Sequence, residues 1–363
     1  CGETTYAKLI TQLFGDRMMI SNAAGCTTVW GGSAPSVPFT QDENGYGPCW
    51  GFSLFEDNAE YGLGMFLGYC VVREEIRTKL ENICTRIGET NDIAQLQLLE
   101  AINEWEQNYD EGEETRKRSA KLIKMLEKNL ELDGVKEILE RKDYLIKRSN
   151  WIFGGDGWAY DIGYGGLDHV MSTGNDVNVM VFDTEVYSNT GGQASKSTPR
   201  AAIAKFAAAG KSGRKKDLGK MIMSYGNVYV AQIAIGANPS QALKAIREAE
   251  AYHGPSLIIG YAPCVNHGIK GGMGKTQSHE KKAVESGYWN LYRYNPSLKE
   301  QGKNPFQLDS GEPKIPFKDF LMSEVRYMSL MQRDPELAEE LFRQAQEDAH
   351  NRFEEYKRLS LSL

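Results

Sequence analysis

Three things are scarce in this chain of 363 residues. No apolar run approaches the ~20 residues that would span a bilayer, so a membrane-spanning role is excluded as a reading of the sequence. Net positive charge is missing too: 42 Lys and Arg stand against 49 Asp and Glu, a formal charge of −7, which argues against a general nucleic-acid binder. Cysteine is sparse and irregular, at positions 1, 26, 49, 70, 84 and 264. With no secretory signal, that pattern predicts reduced thiols or metal ligands in place of disulfides, and the cytoplasm as compartment. The five histidines, 169, 253, 267, 279 and 350, contain no HExxH or comparable metal spacing and read as structural or surface residues. There is no start methionine. Opening on Cys1-Gly2-Glu3, the chain reads as the carboxyl-terminal piece of something larger.

What is plentiful is glycine, 37 residues, alongside 41% hydrophobic content. That suits a globular enzyme with many tight strand-to-helix turns, large enough for one α/β domain or two smaller ones. Two stretches carry the chemistry. Trp151-Ile152-Phe153 leads into Gly155-Asp156-Gly157-Trp158, and Val177 to Phe182 leads into Asp183-Thr184-Glu185-Val186-Tyr187-Ser188-Asn189. Both read as loops at the carboxyl ends of buried parallel strands, where α/β sheets bind ligands. A small hard cation takes oxygen ligands, a few from protein and the rest from phosphate and water. Asp156 offers a carboxylate, Thr184 a hydroxyl and Val186 a carbonyl. Helical spacing from Gly157 to Leu167 and Val170 predicts a helix whose first N–H groups face a diphosphate, and Gly155 and Gly157 let the backbone come close.

Elsewhere, the spacing predicts a first helix through Tyr6, Leu9, Ile10 and Leu13, a strand over 17–20, and a turn Asn22-Ala23-Ala24-Gly25-Cys26. Residues 31–48 read as a long ordered loop. From about 59 to 148 the chain reads as charged helices, a structural insertion with a possible partner-binding duty. Ser197 or Thr198 with Pro199 predicts a helix start leading through Ala202, Ile203 and Phe206. The basic run Lys211 to Lys216 has two readings, a contact for an acidic ferredoxin or coenzyme A phosphates, or a solvated loop. Strands over 227–235 and 256–261, joined by a helix, predict a parallel sheet. A final helix covers 334–358. The organisation expected is an α/β doubly wound parallel sheet from 1–68 and 149–300, a helical insertion over 69–148, and an extension over 301–363 ending in that helix.

The Gly-Asp-Gly loop and the run DTEVYSNTGGQ from Asp183 to Gln193 resemble the thiamine diphosphate motif of the pyruvate:ferredoxin oxidoreductase (pyruvate synthase) family, in which threonine takes the metal-ligand place that most thiamine enzymes give to asparagine. Gly47-Pro48-Cys49-Trp50 and Ser53 to Glu60 are similar to the same family, though Cys49, Gly51 and Phe52 depart from its pattern. The resemblance covers residues 1 to about 68 and 151 to about 333.

It implies oxidative decarboxylation of pyruvate with coenzyme A to acetyl-coenzyme A and CO₂, with electrons passed to ferredoxin or flavodoxin. It also implies Mg²⁺ held by Asp156, Thr184 and Val186, and a diphosphate bordered by Gly155, Gly157 and Trp158. Glu3, Cys26 and Ser188 would lie against the cofactor, and Asn189 would contact substrate. Cys1, Cys26 and Cys264 match three ligands of a [4Fe–4S] cluster; from spacing alone the three are small buried thiols. The family's remaining domains, among them the glutamate that ionises thiamine, lie on other segments of the same polypeptide, and a homodimer is expected. Rival readings are a related 2-oxoacid oxidoreductase, a non-oxidative thiamine-dependent decarboxylase or carboligase, and a non-catalytic scaffold.

Overall fold

The structure, a computed structural model, describes residues 1–361. Its centre is an eight-stranded sheet of β1 (Met18–Ala23), β2 (Cys49–Ser53), β3 (Ser149–Gly155), β4 (Asn178–Asp183), β5 (Tyr229–Ile233), β6 (Ser256–Tyr261), β7 (Tyr292–Tyr294) and β8 (Phe306–Leu308). The strand order is β2-β1-β3-β4-β6-β5-β7-β8. All pairings from β2 to β5 are parallel, and β7 and β8 add on antiparallel.

Burial on both faces explains why the central strands are continuous apolar runs. Successive side chains alternate between two cores. Trp151, Phe153, Met180, Phe182 and Ile258 face one side, packed by α1 (Glu3–Phe14) and by the helix 239–251, while Ile152, Val179, Val181, Leu257 and Ile259 face the other. The remaining helices in chain order are α2 (Cys26–Gly32), α3 (Asn58–Ile87), α4 (Ile93–Gln107), α5 (Thr115–Glu127), α6 (Val135–Glu140), α7 (Tyr164–Ser172), α8 (Leu218–Met223), α9 (Pro239–Ala251), α10 (Thr276–Glu285), α11 (Phe317–Leu321), α12 (Val325–Arg333) and α13 (Pro335–Leu361). The chain is therefore the α/β doubly wound sheet with intervening helices that its sequence pattern predicts.

Between β2 and β3, α4, α5, α6 and the outer half of α3 enclose a third core of Leu98, Ile102, Trp105, Leu122 and Ile138. Helix α3 runs unbroken through position 69, its first turns packing Ala59 and Leu63 on the sheet. Residues 301–361 are more than a simple extension: β8 pairs with β7, and Tyr327, Leu330, Phe342 and Tyr356 of α12 and α13 join the core under the central strands.

The predicted helix through Ala202, Ile203 and Phe206 does not form. Ala201 at φ 72 and Phe206 at φ 66 are left-handed, which no right-handed helix accommodates. Thr198 Oγ1 donates to the Glu185 carbonyl at 2.6 Å in place of capping a helix, and Ala201 and Ala202 pair with the backbone of Lys211.

Candidate cofactor site at the carboxyl edge of the sheet

Strands β1, β3 and β4 lie side by side, and the chain leaves β1 toward β2 but β3 toward β4. At such a switch point the connections diverge and leave a crevice beyond the strand ends. Into it come Ala24 to Thr27 after β1, Gly155 to Trp158 after β3, and Thr184 to Thr190 after β4, enclosing a cavity of about 160 Å³. Its walls include Glu3, Cys26, Gly155, Asp156, Gly157, Trp158, Thr184, Val186, Ser188 and Asn189. Asn189 is exposed at the mouth; Asp156, Thr184 and Val186 are buried. A larger cavity of about 710 Å³, between α1 and residues 38–48, is lined by none of these.

After β3 the chain makes one π-type turn, Gly157–Ile162, before α7 begins. Gly163 N–H donates to the Trp158 carbonyl at 2.9 Å, the five-residue step of that turn. The Trp158 ring lies against two glycines, since a Cβ on Gly154 or on Gly163 would fall 2.2 Å from it. Gly157 is required for a similar reason, with Tyr187 2.5 Å from the place of its Cβ.

The oxygens that would meet a cation are gathered around Thr184. Its Oγ1 lies 2.8 Å from Asp156 Oδ1 and 3.0 Å from the Val186 carbonyl. These two separations are hydrogen-bond lengths from the Thr184 hydroxyl, and they bring a carboxylate, a hydroxyl and a carbonyl oxygen within reach of one hard cation. Charge is consistent as well. Burial, with the nearby Asp183 carboxylate, pushes the Asp156 carboxyl up to about 7, against donation from Ser195 and Thr184. A cation at that point would relieve the burial of the negative charge. The donor set fits a hard divalent ion.

Glu3 is buried, and burial raises its carboxyl to about 7 although Trp30 Nε1 donates to it at 2.7 Å. Cys26 Sγ is 3.5 Å from Ser188 Oγ, and burial pushes that thiol up to about 11, with Glu3 and Cys264 acting in the same direction. Cys1 stands beside the third cysteine turn, since Gly2 N–H donates to the Pro263 carbonyl at 3.1 Å. Cys264 Sγ accepts from Asn266 at 3.5 Å. Three cysteine-bearing segments thus come to this edge of the sheet. Among the described residues, no three His, Cys, Asp or Glu side chains are grouped so that they could hold a metal ion. Cys70 and Cys84 lie far along α3, and Cys49 begins β2.

Several residues at the site escaped the sequence reading. Ser195 Oγ donates to Asp156 Oδ2 at 2.6 Å. His267 Nε2 lies 2.7 Å from the Thr184 carbonyl. The basic run folds inward: Lys215 lies between Asp183 (2.8 Å) and Glu185 (3.0 Å), Lys211 Nζ donates to the Ser195 and Thr198 carbonyls, and Lys216 Nζ donates to the Tyr160 carbonyl. Neither a free docking patch nor a solvated loop describes those three lysines. No spacing rule in the sequence signals contacts made across so many residues.

The α/β sheet with its strand-end cavity is that of a thiamine diphosphate-binding domain. The family "Thiamine pyrophosphate enzyme, C-terminal TPP binding domain" matches residues 138–259. Over 99% of its length the chain is 57% identical to pyruvate-flavodoxin oxidoreductase of Klebsiella pneumoniae and 53% identical to pyruvate:ferredoxin oxidoreductase of Moorella thermoacetica. Pyruvate dehydrogenase [NADP(+)] of Cryptosporidium parvum is 45% identical over the same share. The chain spans 30%, 31% and 21% of those three proteins. Among solved structures, 2-oxoglutarate:ferredoxin oxidoreductase from Magnetococcus marinus overlays 72% of this chain and 62% of that one at a TM-score of 0.39 and 13% identity. The chain belongs with the pyruvate:ferredoxin (flavodoxin) oxidoreductases, as a thiamine diphosphate-binding part of that family.

Proposed function

We propose that the chain is the cofactor-binding part of an enzyme that oxidatively decarboxylates pyruvate with coenzyme A, giving acetyl-coenzyme A and CO₂ and passing electrons to ferredoxin or flavodoxin. What supports this reading is the 53–57% identity to pyruvate oxidoreductases over 99% of the chain, together with Asp156 Oδ1 and the Val186 carbonyl gathered within 3.0 Å of Thr184 Oγ1. Asp156, Thr184 and Val186 would hold Mg²⁺, and the N–H groups opening the turn at Gly157 would be available to the diphosphate. Bound thiamine diphosphate supplies the electron sink for loss of CO₂. Trp158 and Phe55 wall the cavity against water, while Glu3 and Ser188 border the cofactor. Asn189, at the mouth, donates its amide to the substrate oxygen as negative charge develops there. Cys1, Cys26 and Cys264 would hold three irons of a [4Fe–4S] cluster suited to one-electron steps. At about 160 Å³ the cavity is smaller than the ~300 Å³ that pockets for ligands of this size begin at, so other domains of the same polypeptide complete it.

The acceptor is selected outside this segment, because relatives named for flavodoxin, ferredoxin and NADP(+) match it at 45–57% identity. The helices over 69–148 serve as a structural insertion. Six free cysteines favour the cytoplasm, and no helix among the described residues is long and apolar enough to cross a membrane. A homodimer is the expected assembly.

The test is anaerobic addition of pyruvate, without coenzyme A, to the full-length protein, with electron paramagnetic resonance beside an iron and sulfide assay. An organic radical with a reduced cluster is the expected result. Absence of iron, with acetaldehyde accumulating and no radical, would place the chain among the non-oxidative thiamine enzymes.

A further inference from the structure

His267 is a buried side chain to which the proposed chemistry gives no task, yet it reaches the metal-ligand loop. It closes the single 3-10 turn Val265–His267 that follows Cys264 and is fully buried. Its Nε2 is 2.7 Å from the Thr184 carbonyl oxygen. A carbonyl only accepts, so Nε2 carries the hydrogen in this contact.

On its other side Nδ1 is buried without a hydrogen-bond partner among the described residues. Nδ1 lies 3.5 Å from Glu324 Oε1, and the same carboxylate is held by His279 Nε2 at 2.6 Å and Arg326 Nε at 2.5 Å. Tyr261 stacks on the imidazole with centroids 6.2 Å apart and planes 23° apart.

The carbonyl it holds belongs to the peptide joining Thr184 to Glu185, and Glu185 has φ 58, a left-handed conformation unusual for a side-chain-bearing residue. The Glu185 carboxylate is tied down by Lys215 at 3.0 Å and Arg326 at 2.7 Å. One side of the strained peptide is therefore pinned by His267 and the other by two cations. Rotation of this peptide would break the His267 contact and change the backbone between Thr184 and Val186, and strain of this kind persists where surroundings over-determine it.

We propose that His267 is a positioning residue: by holding the Thr184–Glu185 peptide plane it keeps Thr184 Oγ1 and the Val186 carbonyl within reach of one cation and ties them to the turn that carries Cys264. This rests on the Mg²⁺ reading given above. Partners that orient metal ligands are worth roughly 10–100-fold in metal affinity when removed.

The experiment titrates Mg²⁺ by calorimetry into full-length, metal-depleted protein saturated with thiamine diphosphate. His267→Leu should weaken Mg²⁺ binding by roughly 10–100-fold, and His267→Gln, whose amide reaches the same carbonyl, should stay within about threefold of the unsubstituted protein. Ile138→Ala, in the separate core of the inserted helices, is the control for general destabilisation; Mg²⁺ affinity should be unchanged. If His267→Leu does not fold, His267→Asn replaces it, its shorter amide stopping short of the carbonyl, and weaker binding than His267→Gln is expected. Unchanged affinity in the Leu or Asn variant overturns the inference, as does equal weakening by His267→Leu and Ile138→Ala. No Mg²⁺-dependent binding in the unsubstituted protein overturns the functional reading itself.

Discussion

Lys215 Nζ sits 3.0 Å from the Glu185 carboxylate, beneath the cofactor loop and away from the surface a basic run would use to meet a partner. The same ammonium is 2.8 Å from Asp183, and both carboxylates are essentially inaccessible to solvent. Burial alone would raise the Glu185 carboxyl, but Lys215 and Arg326 pull it down to about 2. Lys215→Met leaves two buried carboxylates short of a cation, and removing one partner of such a group costs about 3–5 kcal/mol. Urea unfolding should show that loss. A variant as stable as the parent would mean that the lysine does not anchor the loop.

Asp156 and Mg²⁺ compete with a proton. In the metal-free protein its carboxyl is raised to about 7, chiefly by burial, so below that pH the folded protein holds the proton. The raised value means metal-free stability is lost as pH rises from the unfolded carboxyl range through 7. Mg²⁺ affinity should run the other way, weakening by about tenfold per pH unit below 7 and levelling off above it, because the metal needs the carboxylate. Asp156→Asn should abolish that slope and weaken binding by more than ~100-fold, and Thr184→Val by about tenfold or more. Calorimetric titrations from pH 5.5 to 8.5 check both; an affinity flat with pH in the unsubstituted protein contradicts the assignment.

Much of this site was legible because its residues are close in sequence and follow strands. Asp156, Thr184 and Val186 each lie within a few positions of a buried apolar run, and a parallel sheet brings such loops to one edge by construction. The supporting partners were not legible. Ser195, Lys215 and His267 reach Asp156, Glu185 and Thr184 across 39, 30 and 83 residues, and nothing in local spacing records those pairings. The missing helix at Ala202 shows the converse limit: Pro199 and the alanines favour a helix locally, but Lys211 claims the backbone of Ala201 and Ala202. The extension over 301–363 concealed a strand of three residues, too short for an alternation to register.

Gly154 and Gly155 adjoin in β3 but have different tasks. A Cβ at Gly154 would fall 2.2 Å from the Trp158 ring, which also lies against Gly163. A Cβ at Gly155 would meet only the Phe182 carbonyl, at 3.8 Å. Gly154→Ala must displace the ring, at about 1–3 kcal/mol, toward the cavity it walls, whereas Gly155→Ala should change stability by less than ~1 kcal/mol. Thermal unfolding measures the difference. Equal melting temperatures would mean that Trp158 moves freely.

Glu280 offers a pH test remote from the metal-ligand residues. It is fully buried on α10, its Oε2 accepting from Gly236 N–H at 2.8 Å and lying 3.3 Å from Tyr6 OH, while its Oε1 is buried with no hydrogen-bond partner. Burial pushes the carboxyl up to about 8, against the donated bonds from Gly236 and Tyr6. Between pH 4.5 and 8 the unfolded chain has released this proton and the folded chain has kept it, so stability declines as pH rises across that window and levels off above it. Glu280→Gln keeps the shape and an acceptor for Gly236 without a charge to bury. It should match the parent near pH 4.5 and exceed it above pH 8, by an amount on the order of a few kcal/mol. Melting temperatures of both proteins from pH 5 to 9 decide the matter: parallel curves would mean that Glu280 keeps an ordinary acidity, and that the Tyr6 contact anchoring α1 beside Tyr261 does not depend on its proton.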